Sequence, residues 1–312
     1  MFENDKSEPK LRKQHIMKQP LVTIGMAVRN CAPTLGPAIA SLLGQTFRDW
    51  ELVIIDDGSS DATMSVARSF NDSRIITIST GEVIRDRGYY GVPVRLNQAV
   101  KLARGKYFAR MDGDDIAYPE RLEQQVRFLD EHPDIDLLAT AVVVFGEDGR
   151  LLGCRPTPTT HADICSHPQA GFPMPHPTWM GRTGWFRKNP YRADAHRMED
   201  KELLFRTHAR SQFACLNEPL LAYRETSLSV SKIAVARANF IRVLARNAGR
   251  LCTVPDAFVG ILGQMARLAL DLTAILTGLN YRLLPHRARP VSLPQARRWH
   301  EVWAGISSAR TL

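Results

Sequence analysis

The sequence predicts an α/β fold in which helices cover both faces of a mainly parallel sheet. Three observations support this prediction. Short apolar segments alternate with amphipathic segments from Leu21 to Phe145, and acidic clusters follow two of the apolar segments, at 56–57 and 112–115. Apolar residues make up 44% of the chain, which is enough for a sizeable core. Because such alternation is typical of parallel sheets, both acidic clusters are expected at one edge of the sheet.

Each predicted element follows from a local pattern. Continuous apolar segments predict strands that are buried on both faces, and they cover 21–28, 50–55, 74–78, 107–111 and 136–145. Apolar residues spaced three or four apart predict helices, and these cover about 35–45, 64–70 after Asp61 as N-cap, 93–104, and a helix that starts at Pro119. Residues 155–190 contain seven prolines and predict a loop-rich wall of a site; a helix after Glu199-Asp200 and a strand at 220–223 follow.

The net charge of +9 is concentrated near the C-terminus. Residues 1–231 hold 29 Lys and Arg against 29 Asp and Glu, whereas residues 232–312 hold 12 against 3. An apolar stripe from Phe258 to Leu279 has Gln264, Arg267 and Asp271 on its opposite side, and a basic stripe of Arg242, Arg246 and Arg250 precedes it. Such helices either dock on the main domain or lie at an anionic membrane surface.

Other features bound the class of protein. The five cysteines are odd in number and scattered, which favours reduced thiols and a cytoplasmic setting. The first nineteen residues form a polar leader without a signal-like apolar segment, and no uncharged apolar run is long enough to predict a transmembrane helix. Cys154, His161, Cys165 and His167 fit no regular zinc spacing.

The stretch from Tyr107 to Asp115 is the most informative part of the sequence. An apolar strand leads directly into Asp112, Asp114 and Asp115, with Gly113 between them. Residues two apart in an extended chain point to the same side, so Asp112 and Asp114 can act together. Paired carboxylates suit a hard divalent cation such as Mg²⁺ or Mn²⁺. The alternative is a solvated acidic turn with no ligand.

These features, taken in order, resemble the family 2 glycosyltransferases, whose fold is the GT-A type with a Rossmann-like, mainly parallel sheet. The resemblance covers about 20–228. The motifs that carry it are Arg29-Asn30, Ser41-Leu42-Leu43-Gly44-Gln45-Thr46-Phe47, Glu51-Leu52-Val53-Ile54-Ile55-Asp56-Asp57-Gly58-Ser59-Ser60-Asp61, Leu96-Asn97, Ala103-Arg104-Gly105-Lys106-Tyr107, Met111-Asp112-Gly113-Asp114-Asp115, Pro119-Glu120-Arg121-Leu122 and Glu199-Asp200.

The resemblance divides the chain into parts. Residues 1–19 become a flexible leader, and 20–228 become the GT-A domain, with a nucleotide-sugar half at about 20–146 and an acceptor half at about 147–228. Residues 229–312 lie outside the resemblance and form a basic, amphipathic helical extension. The predicted location is the cytoplasm, as the scattered cysteines indicate, and an extension of this kind is compatible with a peripheral position at the inner face of the cytoplasmic membrane.

The implied reaction is the inverting, metal-dependent transfer of a sugar from a nucleotide diphosphate sugar. The acceptor would be a hydroxyl of a glycan or of a lipid-linked acceptor, as in surface or exopolysaccharide biosynthesis. The resemblance implies Mn²⁺ or Mg²⁺ as cofactor, Asp114 as its ligand, and Asp200 as the general base. It places Glu199 and His176 on the acceptor side.

The resemblance also implies which residues bind the donor: Ala27, Arg29, Asp56, Asp57, Arg95 and Asp112. Asp57 would meet the nucleotide base, Asp112 the ribose, and Arg95 a phosphate. Arg29 stands where many relatives carry a tyrosine that stacks on the base, and a guanidinium can stack in the same way.

Two alternatives belong to other classes. A nucleotidyltransferase also uses carboxylates and a metal, but it would need a glycine-rich basic loop where this chain has Arg29-Asn30-Cys31-Ala32-Pro33. A non-catalytic nucleotide-sugar-binding protein would be favoured by the loss of one of the carboxylates, and none is missing. No aromatic and basic recognition motif indicates nucleic acid as a partner.

Overall fold

The computed structural model describes residues 19–80, 91–195, 197–225, 230–277 and 288–308. The leader predicted for 1–19 therefore lies almost wholly outside the described residues, as does Leu279 at the end of the predicted apolar stripe.

Nine strands form one sheet in the order β3-β2-β1-β4-β8-β6-β9-β5, and β7 pairs with β6 beside this path. The strands are β1 Val22–Val28, β2 Trp50–Asp56, β3 Ile75–Ser79, β4 Tyr107–Arg110, β5 Ile116–Ala117, β6 Leu137–Phe145, β7 Leu151–Arg155, β8 Met180–Arg182 and β9 Phe213–Arg224.

Ten helices of the described residues surround this sheet. They are α1 Ala32–Leu43, α2 Thr63–Ser69, α3 Val92–Leu102, α4 Arg121–Glu131, α5 His161–Ile164, α6 Thr183–Lys188, α7 Glu199–Thr207, α8 Val230–Asn247, α9 Val254–Leu276 and α10 Leu293–Ser308. Two predicted starts were misplaced. Asp61 precedes the N-cap position of α2 by one residue, although it accepts a bond from the Thr63 backbone N–H at 3.0 Å, and α4 begins two residues after Pro119.

The first four strands in the chain pair in parallel, as predicted from their apolar character. In this half the register pairs Val28 with Asp56 and Gly25 with Arg110. The carboxyl ends of β2, β1 and β4 therefore lie side by side at one edge, which brings the two acidic clusters to neighbouring strand ends. The predicted α/β GT-A fold class is confirmed.

The second half of the sheet is mixed. β8 runs antiparallel to both β4 and β6, while β6 and β9 pair in parallel along nearly their whole lengths. β5 pairs antiparallel with β9, and this contact joins the segment after the acidic loop to the end of the last strand. The acidic loop is thus held between the two halves of the sheet.

The last helix packs on the main domain. The Trp299 side chain is fully buried, lies 4.7 Å from the ring of Phe145, and donates its indole N–H to the Gly149 carbonyl at 2.8 Å. Arg298 also forms an ion pair with Glu120 of the main domain. The end of the extension is therefore part of the folded core, as one of the two sequence alternatives proposed.

The preceding helix pair has an unusual orientation. On α9 the polar residues Gln264 and Asp271 are buried and bind Arg237 of α8, whereas Phe258 and Leu262 are 61% and 49% exposed. The predicted division is therefore correct only in part: much of the apolar stripe points away from the protein, and Arg267, predicted on the polar side with Gln264 and Asp271, is exposed as well. The basic stripe is shorter than predicted, because α8 ends at Asn247, before Arg250.

Within the described residues, α9 is also the one helix long and apolar enough to cross a membrane by length and composition. The sequence prediction of no such helix was based on an uncharged run, and α9 contains Asp256, Arg267 and Asp271. Length and hydropathy alone are weak evidence for a membrane span.

Candidate active site

The turn after β2 is organised by Asp56. Its buried carboxylate accepts bonds from the backbone N–H and the hydroxyl of Ser59 and from the hydroxyl of Ser79. Asn30, at φ 49°, joins the end of β1 to the same turn, because its side-chain oxygen accepts the Ser60 N–H at 2.8 Å. Asp56 therefore shapes the loop, and its predicted contact with the donor stays a prediction.

The carboxylate of the neighbouring Asp57 is held by hydrogen bonds from Arg95 and Gly91. Its carboxylate accepts a bond from Arg95 Nε at 2.6 Å and from the Gly91 N–H at 3.0 Å, and both charged side chains of the Arg95 pair are about 7% exposed. Arg29 lies 3.9 Å away on the open side. Arg95 was predicted to reach a phosphate; its geometry instead favours a role in fixing Asp57.

Ala27 and Arg29 lie where β1 ends. Ala27 is half-buried and pairs with Ile55 of β2, while Arg29 is exposed beside Asp57. The exposed guanidinium is free to stack on a flat ring placed over this edge, as predicted for a base. The five donor-side residues predicted at these strand ends and on α3 (Ala27, Arg29, Asp56, Asp57 and Arg95) thus form one connected group.

The acidic loop after β4 gathers three carboxylates. Asp112, Asp114 and Asp115 each offer one oxygen, and these oxygens lie within 4.8 Å of one another. Burial and the neighbouring charge of Asp112 raise the pKa of Asp114 to about 6, and burial raises the pKa of Asp115 well above its usual range. One oxygen of Asp115 is buried without a hydrogen-bond partner among the described residues.

This arrangement fits a divalent cation. Close carboxylates repel one another in a low-dielectric site, and a hard cation with oxygen ligands relieves that repulsion. The cluster contains Asp114, the predicted ligand, and it is the one group of three metal-ligating side chains found among the described residues. A solvated acidic turn is disfavoured, because Asp115 is fully buried.

Buried arginines surround the acidic loop, and sequence reasoning missed them. Arg110 donates to the Asp112 carboxylate, and its Nε and Nη1 atoms are buried without partners among the described residues. Arg121 is fully buried and donates to the Arg110 carbonyl at 2.6 Å, while Arg224 donates to the Asp114 carbonyl at 2.9 Å. These cations offset the carboxylates and fix the backbone that carries them.

The predicted base lies at the start of α7. Glu199 and Asp200 are its first two residues, and both line a cavity of about 880 Å³ that Asp112 also lines. Burial, together with the adjacent Asp200 charge, raises the pKa of Glu199 to about 7. One oxygen of Glu199 is buried without a partner among the described residues. The carboxylates at the ends of β4 and at the start of α7 therefore face a common space, although 88 residues separate Asp112 from Asp200.

The environment of His176, which was predicted on the acceptor side, favours a structural role for its ring. Its ring is buried 4.5 Å from the ring of Trp179, and Nε2 lies 3.0 Å from the Tyr191 hydroxyl. Burial lowers the pKa of His176 well below its usual range, so the ring is neutral. His176 lines the cavity beside Glu199, and its predicted acceptor contact stays a prediction.

The cavity wall combines two parts of the chain. The predicted proline-rich segment contributes Arg155 to Thr157 and Phe172 to Pro177, and the C-terminal extension contributes Ala288 to Pro290. The first contribution follows from the loop-rich composition. The second was not anticipated, because the extension was assigned to docking or to a membrane.

Comparison with known proteins identifies the class. The chain matches the model described as Glycosyl transferase family 2 over residues 23–196, which is more than half of its length. The chain therefore belongs to the family 2 glycosyltransferases, a class of transferase enzymes whose donors are sugar nucleotides.

Individual relatives are described as glycosyltransferases too. EpsE of Bacillus subtilis, described as a glycosyltransferase, is 34% identical over 194 residues, which cover 60% of this chain and 66% of EpsE. WfgD of Escherichia coli, a UDP-Glc:alpha-D-GlcNAc-diphosphoundecaprenol beta-1,3-glucosyltransferase, is 37% identical over 113 residues, which cover 36% of this chain and 42% of WfgD. The matched part is thus slightly less than two thirds of EpsE and less than half of WfgD.

A solved structure supports the fold. The mannosyltransferase PcManGT from Pyrobaculum calidifontis, in complex with GDP-Man and Mn²⁺, aligns with a TM-score of 0.52 at 16% identity. The alignment covers 95% of this chain and 87% of that protein. At this identity the similarity concerns the fold alone.

Proposed function

We propose that the protein is an inverting, metal-dependent glycosyltransferase that moves a sugar from a nucleotide diphosphate sugar to an acceptor hydroxyl. The observation that carries the proposal is the shared cavity, which Asp112 of the metal-binding cluster and Asp200 of α7 both line. A donor at the strand ends and an acceptor at α7 would then meet between these carboxylates.

One or more residues can be assigned to each step of this transfer. Asp57, fixed by Arg95, accepts a hydrogen bond from the nucleotide, and Asp112 contacts the ribose. Asp114 and its neighbours would hold Mn²⁺ or Mg²⁺, which when bound would supply positive charge to the leaving diphosphate. Asp200 removes the proton from the acceptor hydroxyl, and attack from the face opposite the diphosphate inverts the anomeric centre.

The acceptor is a glycan or a lipid-linked sugar. WfgD, a relative by sequence, acts on a sugar that is linked through a diphosphate to a lipid. This acceptor class supports a role in cell-surface or exopolysaccharide biosynthesis and a cytoplasmic enzyme that works at the inner face of the membrane. Oxygen ligands suit both Mn²⁺ and Mg²⁺, so activity measured with each cation decides between them.

One experiment tests the base and the donor together. Thermal unfolding with UDP-, GDP- and dTDP-sugars, each with and without Mn²⁺, identifies the nucleotide that stabilises the wild-type protein. With that donor, Asp200→Asn should retain donor binding and lose turnover by at least about a hundredfold, a typical general-base contribution. Glu218→Gln, an exposed substitution, serves as the control. Turnover by Asp200→Asn at the wild-type rate would remove Asp200 as the base.

We further propose that α9 lies in the membrane interface. Its outward face carries Phe258, Leu262, Met265 and Leu276, and the last of these is 86% exposed. Arg242 and Arg246 are exposed on the adjacent α8, where cations favour anionic lipid. An interfacial position is favoured over a membrane span, because Asp271 is bound to Arg237 on the protein side of α9.

Vesicle sedimentation tests this placement. The wild-type protein should bind vesicles of phosphatidylglycerol and phosphatidylethanolamine, and the double variant Phe258→Asp, Leu262→Asp should remain in the supernatant. Because both side chains are exposed, the variant should unfold at the wild-type temperature. Deletion of 232–312 is a poor test, since it also removes the buried Trp299. Equal binding by the variant would refute the interfacial role of α9.

A further inference from the structure

The cavity beside Asp200 carries positive charge that the proposed transfer does not use. Four arginines line it: Arg110, Arg155, Arg197 and Arg289. Arg110 donates to Asp112, and Arg155 forms an ion pair with Glu225. For Arg197 and Arg289, no carboxylate of the described residues lies within 4.0 Å of the guanidinium.

The position of Arg289 is fixed by the sheet. Its backbone N–H donates to the Cys154 carbonyl at 2.7 Å, and its carbonyl accepts the Cys154 N–H at 2.8 Å. The extension thereby adds one antiparallel bridge to β7. Gly153 makes this approach possible, because a Cβ atom there would lie 2.6 Å from the Cβ of Ala288. Arg289 is consequently a defined part of the cavity wall, with an exposed side chain.

Arg197 is held in an uncommon conformation. Its φ of 62° lies in the left-handed region, which is unfavourable for a residue with a side chain. The strained residue precedes Glu199 and Asp200 by two and three positions. Strain of this kind persists where the surrounding structure imposes it and is concentrated at binding sites. The left-handed backbone of Arg197 is therefore consistent with a binding role for this residue at the cavity.

The donor does not explain these two arginines. Of the donor-side residues, Asp112 lines this cavity but Asp57 and Arg95 do not, and Asp114 with its carboxylate neighbours would hold the cation for the leaving diphosphate. Arg197 and Arg289 lie instead with Asp200 and the proline-rich wall, on the acceptor side. Their ligand is therefore expected to be part of the acceptor.

We propose that Arg197 and Arg289 bind the diphosphate of an acceptor in which the accepting sugar is attached to a lipid diphosphate. This inference rests on the proposed function, because it requires the acceptor hydroxyl to lie at Asp200. A guanidinium offers a planar fork of donors that matches phosphate oxygens. Arg197 and Arg289 would offset the repulsion between a diphosphate and the nearby Asp200 carboxylate.

The dimensions and connections agree with this ligand. A cavity of about 880 Å³ accommodates one sugar ring and a diphosphate. Arg289 belongs to the same extension that presents the exposed apolar face of α9. The extension thus contributes to recognition of both parts of such an acceptor, the diphosphate through Arg289 and the lipid environment through α9.

Farnesyl diphosphate is a suitable probe, since it presents a diphosphate on a short lipid without a sugar. Isothermal titration of the full chain in EDTA keeps the donor's metal site out of the measurement. The wild-type protein should bind farnesyl diphosphate more tightly than farnesol, its uncharged analogue. Arg197→Ala and Arg289→Ala should each weaken farnesyl diphosphate binding by about tenfold or more, the loss expected for a charge-assisted hydrogen bond.

Arg127→Ala is the matched control, because Arg127 is exposed on α4 and does not line the cavity. It should bind like the wild type. The proposal is overturned if farnesyl diphosphate and farnesol bind equally, if both arginine variants bind like the wild type, or if Arg127→Ala loses as much affinity. These results are independent of turnover, so they are distinguishable from a failure of Asp200 as the base.

Discussion

The raised pKa of Glu199 makes the stability of the protein depend on pH in a predictable way. Burial and the Asp200 charge raise the pKa of Glu199 from 4.5 to about 7. At pH 4 the side chain is protonated in both the folded and the unfolded chain, so folding carries no penalty. Between pH 4.5 and 7 the unfolded chain loses the proton first, which favours unfolding.

The magnitude follows from this interval. At about 1.4 kcal/mol for each pH unit, a pKa that rises from 4.5 to about 7 lowers the free energy of unfolding by about 3 kcal/mol above pH 7. Glu199→Gln keeps the shape of the protonated acid and removes the titration. The variant should therefore lie within about 0.5 kcal/mol of the wild type at pH 4.5 and be more stable than it by about 3 kcal/mol at pH 8.

Urea unfolding at both pH values, with EDTA present, measures this difference. Glu218→Gln replaces an exposed glutamate and should change stability by less than about 0.5 kcal/mol at either pH. The reasoning is refuted if Glu199→Gln is less stable than the wild type at pH 8. That result would mean that Glu199 is an ionised partner of Arg110, whose Nε and Nη1 atoms lack partners among the described residues.

Two further substitutions test the packing around the site. Arg95→Ala should destabilise the fold by about 3–5 kcal/mol and weaken donor binding, because it leaves the buried Asp57 carboxylate without this buried cation. A free energy of unfolding and a donor affinity equal to those of the wild type would contradict this expectation. Trp299→Ala should lower the free energy of unfolding by about 3–5 kcal/mol, since it empties the space beside Phe145 and removes the hydrogen bond to Gly149. An unchanged urea midpoint would show that α10 is not part of the core.

The strand ends and their carboxylates were predictable because they follow from local rules. Continuous apolar residues predict buried parallel strands, and the end of such a strand lies at the ligand-binding edge. The sequence therefore predicts Asp57 and Asp112 at one edge of the sheet, and they lie there, after β2 and β4. Whether they bind the predicted parts of the donor stays a prediction.

The buried arginines could not be predicted in the same way. In the sequence, Arg110 and Arg121 look like ordinary charged residues, one beside an apolar strand and the other near a helix start. Their burial depends on carboxylates and carbonyl groups that the fold brings from elsewhere, as when Arg121 reaches the Arg110 carbonyl. Two signals were available: the charge of Arg110 inside an apolar strand, because charged residues are rarely buried without a partner, and the place of Arg121 in a motif of the family resemblance.

The orientation of α9 shows a different limit of sequence reasoning. Periodicity identifies two faces of a helix, but it does not determine which face packs on the protein. On α9 a buried ion pair between Arg237 and Asp271 fixes the Asp271 side of the helix inward, so Phe258 and Leu262 are left outside. In water that arrangement exposes Phe258 and Leu262 at a cost of roughly 25 cal/mol for each Å² of apolar surface. The cost disappears when the outer face lies among lipid chains, so the orientation of the helix is itself an argument for the membrane interface.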